Sequence, residues 1–225
     1  RTMLWDVGDP AKTRIVAGYA QRDGNYVTNF FWCQPALNYG FAKTDPKRDW
    51  QQKMDAPGPK AVLGEMKKIM RFWMKMGASG FRADMAPSLV KVDKNQQANM
   101  ALWTKMRRWF ERAFPEGALI SEWDNPSRSI PAGFHIDFML PFSNKSPFAM
   151  LMREGKTNKK PGICFFEKEG TGNIRKFLDP YLKHYRKSKK YGYISLPTAN
   201  HDFPRIRTGR ELNEVEIVYA MLMTM

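Results

Sequence analysis

The chain has 225 residues, and its 37 Lys and Arg outnumber 22 Asp and Glu for a formal net charge of +15. A hydrophobic content of 43%, with 13% aromatics, can bury a substantial core and excludes a disordered chain. No apolar run reaches the roughly 18 to 20 residues that cross a bilayer, which excludes a membrane-spanning helix, and no membrane partner is expected.

Residues 1 to 58 are rich in Gly, Pro, Asp and aromatics without sustained periodicity, and read as irregular structure with short strands and turns. From Lys60 the pattern changes. Val62, Met66, Ile69, Met70, Trp73 and Met76 recur every three or four residues, which predicts an amphipathic helix with this stripe in the core and Gly77 at its end. Gly80-Phe81-Arg82-Ala83-Asp84 reads as a strand. A second helix is predicted over about 95–114, with Met100, Trp103, Met106, Phe110 and Phe114 on one stripe and Pro115-Glu116-Gly117 stopping it. Ala118 to Ile120 then leads into Glu122 as another short strand.

Phe134 to Leu140 alternates and predicts a third strand, followed by a long connection and a helix near 173–186. Tyr191 to Leu196 is a fourth strand, and Glu211 to Met225 a further helix. Strands alternating with long helices imply parallel βα units. No internal repeat or low-complexity segment interrupts them. The expected class is α/β, a partial (β/α)8 TIM barrel of about four strands over residues 59–225, because four strands cannot close an eight-stranded barrel.

The positive charge concentrates in Lys156 to Lys160 and in Lys183 to Lys190, which read as a solvated loop and the basic end of a helix. No nucleic-acid motif accompanies it, so no nucleic-acid partner is expected. Cys33 and Cys164 lie far apart at no metal spacing and read as buried free thiols; no metal site is predicted. The chain opens on Arg1 without an initiator methionine and stops at Met225 inside an apolar run, so both ends read as cuts. No signal peptide is visible, which leaves the compartment open, leaning to the cytoplasm; the oligomeric state is open as well.

Three acidic segments carry the chemistry. Side chains alternate along a strand, so Arg82 and Asp84 share a face, and a guanidinium beside a carboxylate favours its charged form. That suits a nucleophile. Glu122, after an apolar strand and before Trp123, is placed where partial desolvation would raise its pKa toward that of a general acid. Retaining cleavage of a glycosidic bond needs such a pair about 5 Å apart. Asp202, within Asn200-His201-Asp202, suits an orienting role through hydrogen bonds that strengthen in the transition state. In a (β/α)8 barrel, reactive residues sit at the C-terminal ends of strands, where Asp84, Glu122 and Asp202 all fall. Each also has a bland reading: a structural ion pair for Arg82 and Asp84, a solvated acid for Glu122, a structural histidine for His201, packing rings for Trp123, Phe203 and Tyr39. Asp137 reads as a structural hydrogen-bonding acid, and Asp93 and Asp124 as cap or loop acids.

These segments together resemble the α-amylase family of glycoside hydrolases, nearest to its α-glucosidase and oligo-1,6-glucosidase-like branch. Gly80-Phe81-Arg82-Ala83-Asp84 is similar to the family's strand-four motif with its nucleophile, Ser121-Glu122-Trp123 to the strand-five motif with its acid/base glutamate, and Asn200-His201-Asp202 to the strand-seven motif. Gln34-Pro35-Ala36-Leu37-Asn38 resembles the motif near the end of the domain inserted after strand three. The resemblance implies strands four to seven of the barrel, with residues 1–58 as the tail of that inserted domain. It implies a retaining glycoside hydrolase cleaving α-glucosidic bonds of oligosaccharides by double displacement, with catalytic Asp84, Glu122 and Asp202 and with Arg82, Asn200, His201 and Trp123 contacting substrate. No cofactor is expected; calcium in a full-length protein is not supported by any acid-rich loop here. Strand three's motif is missing, so the piece is expected to be inactive alone. Pro87 and Ser88 stand where many relatives carry Lys-His, and Ala36 replaces an acid. A transglycosylase or isomerase of trehalose-synthase type, and a non-catalytic binding module, are the competing functions.

Overall fold

The computed structural model describes residues 15–17, 25–28, 34–140, 165–166, 172–202 and 205–225. They divide into two units, Arg1–Glu122 and Trp123–Met225. Cys33, Cys164, Phe203 and Lys156 to Lys160 lie outside the described residues.

The first unit begins with an antiparallel ribbon, β1 (Ile15–Ala17) paired with β2 (Asn25–Val27). Irregular chain follows, held by Phe41, which bridges both Lys53 and Lys91. Helix α1 (Pro57–Lys75) starts three residues before the predicted Lys60, because a proline in the first turn lacks only an N–H that would have no helical partner. It ends as expected: Gly77 at φ 102 donates to Met74 O and Ala78 to Trp73 O, the paired bonds of a left-handed C-terminal cap.

The predicted inward stripe of α1 needs correction. Leu63 and Met70 are buried, whereas Ile69, Trp73 and Met76 are exposed along with Phe72. The helix is apolar around more of its circumference than its packed face covers, and Phe72 and Trp73 meet edge-to-face on the open side at 5.2 Å.

Strand β3 (Gly80–Ala83) runs parallel to β4 (Ala118–Ser121), in the register Gly80↔Ala118 to Ala83↔Ser121. Only glycine fits at position 80, because a Cβ there would run into the Ala118 carbonyl. Between the strands lies α2 (Gln97–Ala113), which buries Leu102, Trp103, Met106, Trp109 and Phe110. The helix begins two residues after the expected Asn95, where Asp93 Oδ2 accepts the Asn99 N–H at 2.8 Å. Asp93 is thus a capping acid, as its sequence context suggests.

The second unit holds α3 (Pro126–Ala132), β5 (Ile136–Phe138), α4 (Arg175–Ser188), β6 (Tyr193–Ser195) and α5 (Leu212–Leu222). Strands β5 and β6 are parallel, Asp137 facing Ile194. Met139, Phe177 and Val218 form their core, with Ile194, Leu196, Tyr181 and Leu222 packed around it. Helix α3 is absent from the sequence-based expectation, and two of its seven residues, Pro126 and Pro131, are prolines. Pro126 occupies its first turn, where proline is tolerated. A capping box between Glu211 and Glu214 starts α5. The observed class is mixed α/β with parallel strand pairs.

Candidate active site

Parallel pairing of β3 and β4 does not stop at their last residues: the Glu122 N–H donates to Ala83 O at 3.0 Å. Asp84 and Glu122 therefore each follow directly after adjacent parallel strands, whose spacing is roughly 4.8 Å. Alternation puts Arg82 on the same face as Asp84. Its guanidinium lies between the two acids, Nη1 3.2 Å from Asp84 Oδ1 and Nη2 2.8 Å from Glu122 Oε2. The sequence pointed to Arg82–Asp84; the shorter contact, across strands to Glu122, was invisible in it.

The two acids differ in surroundings. Asp84 is 67% exposed and Glu122 12%. Burial raises the Glu122 pKa above the usual carboxylate range, and a hydrogen bond with Asp84 adds to that rise, while the Arg82 charge works against it. Desolvation wins because water reaches the glutamate poorly, so Glu122 is the member of the pair biased toward the protonated form.

The backbone after Asp84 completes the cluster. Met85 takes a left-handed conformation, φ 46, and its N–H points at Glu122 Oε2 at 3.4 Å. A non-glycine residue there costs on the order of 1 kcal/mol. A single 3-10 turn, Ala86–Ser88, follows and is braced from α2: Trp103 Nε1 donates to Ala86 O at 2.9 Å, and Asn99 bonds both the N–H and the carbonyl of Val90. Met85 has no sequence signal, since methionine is not a residue that marks left-handed backbone.

In the second unit, Asn200, His201 and Asp202 form their own cluster. Asn200 Oδ1 accepts the Asp202 N–H at 2.7 Å, and His201 Nε2 lies 3.4 Å from Asp202 Oδ2. They stand in the loop beyond β6 rather than directly at its end. Trp123, named above among the sugar contacts, is 7% exposed and meets Phe134 edge-on at 6.4 Å. The peptide beside it is anchored by Asp137, fully buried, whose carboxylate accepts from Trp123 N (3.1 Å), Asn125 N (2.9 Å) and Ser129 Oγ (2.6 Å). That is the structural hydrogen-bonding role expected of it.

Asp124 accepts the Leu140 N–H at 2.9 Å. Crowding by protein pushes its carboxyl up to about 7, yet the residue is exposed, and water screens most of such an effect. Asn38, in the segment that resembles the inserted-domain motif, makes a local turn by accepting the Gly40 N–H at 3.1 Å. Among the described residues, no cluster of three His, Cys, Asp or Glu could hold a metal ion, and no helix is long and apolar enough to cross a membrane.

No protein-family model matches the chain. It is similar to Alpha-amylase 3 of Dictyoglomus thermophilum, with 26% identity over 212 residues covering 91% of this chain and 34% of that protein. A shorter stretch of 33 residues is 54% identical to Maltase A1 of Drosophila melanogaster, covering 15% of this chain and 6% of that protein. The chain thus spans about a third of the length of the first relative. A debranching enzyme of Nostoc punctiforme shares a looser likeness, with a TM-score of 0.48 at 18% identity over 73% of this chain and 33% of that one. Both sequence matches are to proteins of related name, an alpha-amylase and a maltase.

Proposed function

We propose that this chain is part of a retaining glycoside hydrolase that cleaves α-glucosidic bonds of oligosaccharides by double displacement. Asp84 is the nucleophile and Glu122 the general acid, then the base. Asp202, His201 and Asn200 hold sugar hydroxyls in the reacting subsite. On this reading β3 to β6 are strands four to seven of a (β/α)8 barrel, residues 1–58 are the tail of an inserted domain, and the α-glucosidase or oligo-1,6-glucosidase branch is the nearest relation.

The observation that carries the reading is the asymmetric carboxyl pair at the ends of β3 and β4. One acid is open to solvent, the other is enclosed and raised in pKa, and one guanidinium touches both. Double displacement needs that division, an ionised nucleophile beside a protonated acid about 5 Å away. The Arg82 guanidinium, 3.2 Å from Asp84 Oδ1, braces that carboxylate, and the Met85 N–H helps hold Glu122 in place.

A slow fluoroglycoside substrate of the full-length protein tests this. The expected result is a covalent glycosyl adduct on the peptide containing Asp84, seen by mass spectrometry. An adduct on another residue, or turnover with inversion at the anomeric carbon, overturns the assignment.

A further inference from the structure

A neutral oligosaccharide makes no use of a net charge of +15, and among the described residues Arg82 is the cation that pairs with the two acids. Elsewhere in the first unit, Lys67 and Arg71 stand one helical turn apart on α1. Both lie over the ring of Trp109 on α2, Lys67 Nζ at 5.4 Å and Arg71 Cζ at 5.2 Å from its centroid. Along α2, Lys105, Arg108 and Arg112 follow at spacings of three and four, which puts them on one stripe. They line a groove of about 570 Å³.

Glu65 pairs with Lys68 and Glu111 with Arg107, each at 2.7 Å. Among the described residues, no carboxylate forms an ion pair with any of these five cations. Lys67 is held below the ordinary lysine range by partial burial and then by the charges of Lys105, Arg71 and Arg112. The neighbouring charges that act on it are of its own sign.

We propose that this face of α1 and α2 binds a compact anion carrying two or more phosphate groups. Guanidinium forks match phosphate oxygens in paired hydrogen bonds, which a cluster with three arginines exploits better than one of lysines. Trp109 is buried beside Lys67 and Arg71, so its ring is not open for a base to stack on, which disfavours single-stranded nucleic acid. The groove suits a few phosphates rather than a long polymer. This site is independent of the glycosidase reading.

Calorimetric titration of the chain with inorganic tripolyphosphate tests it. Binding is expected to weaken about a hundredfold in Arg108→Gln/Arg112→Gln and about tenfold in Lys67→Gln, on the scale of one or two charge-assisted contacts. Lys183→Gln/Lys187→Gln on α4 serves as the control and should bind as the parent does. Titration with glucose 1,6-bisphosphate separates the sources: equal affinity assigns a sugar phosphate, much weaker affinity a free oligophosphate. Absence of binding at millimolar tripolyphosphate overturns the proposal, as does equal loss in the control pair. Duplex DNA binding as tightly per phosphate, with the same dependence on Arg108 and Arg112, overturns it in favour of a nucleic-acid surface.

Discussion

Arg82 Nη2 lies 2.8 Å from Glu122 Oε2, closer than the same guanidinium lies to Asp84. The contact ties β3 to β4 just where the two acids leave the sheet. It also opposes the burial that raises the Glu122 pKa. In Arg82→Gln that opposition is gone, so Glu122 should hold its proton to higher pH. The basic limb of kcat/KM for the full-length protein is expected to move upward by roughly one pH unit, alongside a loss of rate. A limb that stays put, or moves down, contradicts the link between Arg82 and the acid.

Asp84→Asn should abolish turnover in the full-length protein while leaving the unfolding midpoint nearly unchanged, because the carboxylate is 67% exposed and its ion pair is of the kind that contributes little to stability. Glu122→Gln should spare aryl glycosides with good leaving groups in the first step far more than natural α-glucosides, by about 100-fold or more. Rates measured on both substrate types check this, and equal damage to both removes Glu122 from the acid role.

His184 Nδ1 on α4 accepts the Ser127 N–H of α3 at 3.3 Å, and burial followed by the charges of Lys183 and Lys187 lowers its pKa from 6.5. The folded chain therefore binds fewer protons here than the unfolded chain between that lowered value and 6.5. Stability is fully present above pH 6.5 and is lost as pH falls through the window below it. Thermal midpoints measured from pH 7.5 to 5 should decline, and His184→Gln should flatten that decline. An unchanged slope in the variant refutes the linkage.

Asp137→Ala strands the Trp123 and Asn125 N–H groups and the Ser129 hydroxyl without their acceptor. A loss of about 3 kcal/mol in urea unfolding is expected, with Asp137→Asn milder because its carbonyl still accepts. Equal stability of Asp137→Ala and the parent chain would show that the peptide after Glu122 is held by something else.

Much of the element order was legible in the residues. The spacing of Val62, Met66, Ile69 and Met70 made α1 readable, and Gly77 marked its end, because backbone at φ 102 strongly favours glycine. Trp103, Met106 and Phe110 did the same for α2. What failed was local. Helix α3 escaped because two prolines argue for loop, and only its packing with α4 and β5 makes seven residues helical. On α1, periodicity identified the apolar residues but not which of them are covered, so Ile69, Trp73 and Met76 proved exposed.

Residue identity and spacing alone indicated that Asp84 and Glu122 each stand at the end of a short strand and that Arg82 shares a face with Asp84, since alternation is a property of one chain segment. The partnership of Arg82 with Glu122, the enclosure that lifts one carboxyl and leaves the other open, and the convergence of Trp123, Asn125 and Ser129 on Asp137 were decided by the fold. Those depend on pairing between segments distant in the chain and on how much water remains around each charge, and both arise only when the strands lie side by side.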